Sequence, residues 1–135
     1  MAARSKARKR ALDVLYETDL RETDPLATVS ERVARADPPV PEYAVELVEG
    51  VTHNRPRIDE IIAAYAEDWT LDRMPPVDRN VLRIGVYEML YRDDIPDIVA
   101  IDEAIELAKS LSTDDSPRFI NGVLARIHRS RPVVT

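Results

Sequence analysis

Acid–base and nucleophilic side chains are scattered along this sequence rather than gathered into a catalytic set. The only histidines, His53 and His128, stand far apart and lack the spacing by which one helix face grips a metal ion; both read as surface residues. Cysteine is absent, which excludes thiolate catalysis and disulfides and suits a reducing compartment. Gly50, Gly85 and Gly122 are isolated, so no glycine-rich loop can cradle a phosphate. No serine sits in a nucleophile elbow. The carboxylates Asp102, Glu103 and Glu106 fall on an amphipathic segment and read first as its solvated face. No catalytic residue, metal ligand or cofactor is assigned, and the protein is expected not to be an enzyme.

What the sequence does concentrate is positive charge beside aromatic rings. Residues 1–10 hold Arg4, Lys6, Arg8, Lys9 and Arg10 with no acid, and Tyr16 follows within the same helical stretch. Residues 116–135 hold Arg118, Arg126, Arg129 and Arg131, again without an acid, and the chain's one phenylalanine, Phe119, lies between Arg118 and Asn121. Residues 11–115 carry the other ten cations against all 25 acids, a local balance of −15 within a net charge of −6. A polyanion would be repelled by that middle and drawn to the ends, so a nucleic-acid footprint must be local. Cations meet phosphates without reading sequence, and nearby rings can stack unpaired bases. The alternative is a solvated tail and a helix end that favours cations, with Tyr16 and Phe119 as core residues.

These residues need elements to hold them, and the pattern supplies helices. Strand alternation and hairpin dipeptides are missing, whereas apolar residues recur at helical spacing. A first helix over about 4–20 aligns Ala7, Ala11, Leu12, Leu15 and Leu20. A second opens at Asp24-Pro25 and runs through Val29 and Val33. After the break at Pro38, Pro39 and Pro41, a third carries Ala44, Leu47, Val48 and Val51, and a fourth carries Ile58, Ile61, Ile62, Tyr65 and Trp69. The fifth, about 77–91, is apolar on more than one side and is therefore expected at the centre. The sixth aligns Ile101, Ala104, Ile105, Ala108 and Leu111; the last opens at Asp115 or Ser116 and carries Ile120, Val123, Leu124 and Ile127. The expected fold is all-α, about seven helices in one domain over 1–135. The double proline at 75–76 would divide it into two small packed helical subdomains, about 1–74 and 77–131. No apolar run approaches the ~20 residues that span a bilayer, and no signal peptide is evident, which predicts a soluble cytoplasmic protein without membrane contact.

Two further features are specific. Gly85 inside the fifth helix costs ~1 kcal/mol against alanine, an expense that close approach of another helix would offset. Asp78 and Arg83 lie beside the apolar stripe of that helix, where they either pair internally or face a partner.

The run Ala7-Arg8-Lys9-Arg10, then Leu82-Arg83, Tyr87-Glu88 and Asp94-Ile95-Pro96, then Ile101-Asp102-Glu103-Ala104-Ile105-Glu106-Leu107-Ala108 and Phe119-Ile120-Asn121-Gly122-Val123-Leu124, resembles the NusB family from about Arg4 to Ile127. The resemblance implies two helical subdomains and a role in transcription antitermination on ribosomal RNA operons. It implies binding of single-stranded boxA RNA with the ribosomal protein NusE, within an RNA polymerase complex that includes NusA and NusG. By position it assigns Lys6, Arg8, Lys9, Arg10 and Tyr16, with Asp115, Arg118, Phe119 and Asn121, to RNA. The two basic ends would then lie side by side. Asp78, Arg83, Tyr87 and Glu88 would lie near the NusE-facing surface. Asp102 departs from the asparagine of the family pattern, and lysines interrupt the arginines of the first helix. Two other readings remain: a helical module related to the N-terminal domain of ribosomal RNA methyltransferases, and a homodimeric scaffold.

Overall fold

Prolines and short polar links set the helix boundaries. The computed structural model describes residues 3–67 and 69–134, and these form α1 (Ala3–Arg21), α2 (Pro25–Arg35), α3 (Glu42–His53), α4 (Arg55–Tyr65), α5 (Pro76–Tyr91), α6 (Asp97–Leu111) and α7 (Ser116–Ser130). A 3-10 turn, Leu71–Arg73, precedes α5, and no strand occurs among the described residues. No helix among them is long and apolar enough to cross a membrane. The chain divides between His53 and Asn54, not at the double proline. The physical reason is that α4 packs on α5 and α7, so it belongs with the helices that follow it.

In the first unit α1, α2 and α3 pack on one another. Asp24 caps α2 by accepting a hydrogen bond from the Leu26 amide at 3.0 Å, with Pro25 at the first helical position. Ala7, Ala11, Leu12 and Leu15 are buried as their spacing predicts, as are Val29 of α2 and Leu47, Val48 and Val51 of α3, the two helices that α1 packs on. Leu20, aligned with that face by its spacing, is 50% exposed, and Val33 of α2 is 46% exposed. Arg32 of α2 donates to Glu17 of α1 at 2.7 Å, adding a polar tie at the edge of this small core.

In the second unit α5 contacts α4, α6 and α7, the central place its all-round apolarity predicts. Val81, Leu82, Ile84, Val86 and Met89 are enclosed. A Cβ on Gly85 would sit 3.0 Å from Leu124 Cδ1 and 3.6 Å from Ala104 Cβ, so α6 and α7 approach this glycine as closely as side chains allow. That approach also sets which face α6 buries. Ala100, Ala104, Leu107 and Ala108 turn inward, whereas Ile101 and Ile105 are only half-buried and Leu111 is exposed. Near Gly85 the small Ala104 takes the inner face, because a bulkier residue there would push α6 away from α5. Trp69 departs from expectation more strongly: α4 stops at Tyr65, and the indole lies beyond it, 42% exposed.

Candidate nucleic-acid interface

The basic segment of α1 is not one uniform cationic surface. Lys6 and Lys9 are exposed. Arg8 is 3% exposed, and its guanidinium carbon lies 5.7 Å from the centroid of the Tyr43 ring on α3; that of Arg4, one turn earlier, lies 4.4 Å from it. These are cation–π distances, and they join α1 to α3. Arg8 was expected to reach RNA as a surface cation; its burial against Tyr43 gives it an internal role instead. Arg10 is half-buried and donates to the carbonyls of Pro38 and Pro39 at 3.2 and 3.3 Å, fixing the link between α2 and α3. Tyr16 is 36% exposed, accessible to a ligand and not a core residue.

The second unit holds the other group at the start of α7. Asp115, Arg118 and Asn121 are exposed, and Phe119 between them is half-buried. Phe119 rests on Trp69, with ring centroids 5.2 Å apart and planes tilted by 57°. Trp69 thus stands beside an expected site residue, and the helical spacing that seemed to place it on α4 concealed this.

Asp78 explains why this helix start is held where it is. The carboxylate is 1% exposed and accepts from the Ser116 hydroxyl at 2.9 Å and from the Ser112 hydroxyl. The Ser116 oxygen in turn accepts from the Thr113 amide at 3.2 Å. The first turn of α5 therefore anchors the link between α6 and α7. Arg83, 4% exposed, donates through Nε and Nη2 to both oxygens of Asp59 at 2.9 and 3.1 Å, and through Nη1 to Asn80 at 3.0 Å. This two-pronged pair ties α5 to α4. Glu88 is also enclosed, at 1% exposure. The expectation that Asp78, Arg83 and Glu88 lie at a partner-facing surface is therefore corrected: a charge beside an apolar stripe persists by pairing inside. Tyr87 alone of the four keeps solvent access, half-buried and stacked on Tyr91 at 5.7 Å.

Other cations of α7, and Arg131 just beyond its end, also have structural duties. Arg126 donates to the Tyr65 carbonyl at 3.0 Å; Arg131 and His128 both meet Asp97 Oδ2 at 2.7 Å. Both histidines are exposed, as expected. Among the described residues no group of three or more His, Asp or Glu side chains is placed to hold a metal ion.

The fold is all-helical, with exposed lysines on its first helix, an exposed arginine and amide at the start of its last, and the Trp69–Phe119 ring pair beside them. The family model described as the NusB family matches residues 5–129. The transcription antitermination protein NusB of Saccharopolyspora erythraea is 67% identical over 94% of this chain and 87% of its own length. That of Streptomyces coelicolor is 54% identical over 98% of this chain and 96% of its own. Among solved structures, T. maritima NusB superposes with a TM-score of 0.84 at 35% identity, covering 95% of this chain and 92% of that one. A structure of the antitermination factors NusB and NusE in complex with double-stranded RNA superposes with a TM-score of 0.83 at 31% identity, covering 94% and 96%. The chain belongs to the NusB family.

Proposed function

We propose that this protein is a non-catalytic transcription antitermination factor that binds RNA together with NusE and acts in the cytoplasm. The observation that carries the reading is the start of α7, where exposed Arg118 and Asn121 flank Phe119. A cation, an amide and a ring within one helical turn can hold a phosphate, hydrogen-bond a base and stack another. Lys6 and Lys9, with Arg10 and Tyr16, contribute a second contact from the first unit, and buried Arg8 holds that helix in place. Asp115 repels phosphate but accepts from an exocyclic base amine, which favours base contact over backbone contact. Tyr87 is assigned to the NusE contact.

The RNA is proposed to be the single-stranded boxA element of nascent ribosomal RNA transcripts. The complex would then act on RNA polymerase with NusA and NusG. Filter binding tests this with boxA RNA, a scrambled strand and a duplex of the same sequence, each with and without NusE. Preference for the boxA strand, strengthened by NusE and weakened by salt, is expected. Equal retention of all three RNAs under both conditions would overturn the boxA assignment.

A further inference from the structure

We propose that Trp69 and Phe119 together form a stacking platform for one unpaired base of the bound RNA. This rests on the RNA-binding reading above and adds to it a residue outside the family-derived set. Trp69 is a large apolar side chain left 42% exposed, and its ring lies on Phe119 at a tilt of 57°. Beside it opens a cleft of about 300 Å³ lined by Ala63, Ala66, Glu67, Trp69, Thr70 and Leu71. Its walls are mostly apolar, with a hydroxyl and a carboxylate for a base edge, which is the composition a planar heterocycle needs.

The segment carrying Trp69 is held on both sides. Before it, the Ala66 amide donates to Ile62 at 2.8 Å, and Arg126 secures the Tyr65 carbonyl at 3.0 Å. After it, the Thr70 carbonyl accepts from the Arg73 and Met74 amides at 3.0 and 3.2 Å, and Arg79 donates to the Leu71 carbonyl at 3.3 Å. A backbone anchored on either side of a ring leaves less freedom to lose when a base stacks on it. Charge selects the occupant. From residue 116 onward every charged side chain is cationic, and Arg118 is exposed in the same helical turn as Phe119. An aromatic pair beside an arginine suits a base and its phosphate better than it suits an apolar protein helix.

Trp69 is the only tryptophan in the chain, so its emission reports on this place directly. The full-length protein is titrated with single-stranded boxA RNA while retention on filters and tryptophan emission are followed in the same samples. Emission should be quenched in parallel with retention. Trp69→Ala should weaken binding roughly tenfold with the salt slope unchanged, and Trp69→Phe should recover most of the loss. Thermal unfolding of each variant checks that the fold is retained. RNA retained normally by Trp69→Ala, with wild-type emission unmoved, would remove the platform and leave the RNA reading standing. No retention by any variant, wild type included, would remove the RNA reading and the platform with it. Quenching by NusE alone, undisturbed by RNA, would make this a protein-docking patch and overturn the proposal.

Discussion

The Asp78 carboxylate and the Ser116 hydroxyl, 38 positions apart in the chain, meet at 2.9 Å inside the second unit. Neither reaches solvent, since each is 1% exposed. Their bond joins the first turn of α5 to the first turn of α7, three residues before Phe119. Asp78 thus governs the proposed RNA surface by position and touches no ligand itself. Asp78→Ala leaves two hydroxyls without their acceptor and should lower stability by about 2 kcal/mol, read as a shift in the urea midpoint. RNA affinity should fall with it, because the helix start that presents Arg118 and Phe119 is released. Asp78→Ala with an unchanged midpoint would show that the bond does not anchor this link.

Arg83 offers a sharper comparison, because geometry rather than charge is at stake. Its guanidinium meets both oxygens of Asp59 and also Asn80, a fork that an ammonium cannot reproduce. Arg83→Lys keeps the charge and should still cost roughly 2 kcal/mol in denaturant unfolding. Equal stability of the lysine variant would mean that the charge alone suffices.

Gly85 separates packing from helix propensity. Alanine there gains about 1 kcal/mol of propensity but sets its Cβ 3.0 Å from enclosed Leu124, so the two effects nearly cancel. Gly85→Val adds bulk with no such gain and should destabilise by about 2 kcal/mol or more. Calorimetric midpoints of the two variants check this; equal midpoints would deny the close approach of α6 and α7.

Much of this was legible in the sequence, for local reasons. Asp24-Pro25 and Pro117 mark helix starts through chemistry confined to a few neighbouring residues, and the all-round apolarity of α5 announces its central place. What was hidden depends on distant partners. Whether Arg83 faces outward or inward is decided by Asp59, 24 residues earlier, and Asp78 is decided by Ser112 and Ser116. The inward face of α6 was misjudged because isoleucine outranks alanine in hydrophobicity, whereas the close contact with Gly85 selects for size. Trp69 followed Tyr65 at helical spacing, and only the end of α4 at Tyr65 shows that the period no longer applied. The basic run of α1 could be counted, but its division into exposed lysines and ring-packed arginines required Tyr43 of α3.

That division gives the last prediction. Lys6 and Lys9 are exposed, while Arg8 is enclosed beside Tyr43. If the exposed pair meets phosphate, each loss should flatten the plot of log affinity against log salt by roughly 0.7, the value for single strands. Lys6→Ala and Lys9→Ala should do so with unfolding midpoints unchanged. Arg8→Ala removes a ring contact and a packed aliphatic stem, so it should cost about 1–2 kcal/mol of stability. Its salt slope should stay near that of the wild type once the folded fraction is accounted for. Salt titrations by filter binding, paired with urea unfolding of the same three variants, separate the two roles. An Arg8→Ala protein of normal stability with a flattened slope would return Arg8 to the RNA surface and contradict the enclosed position described for it.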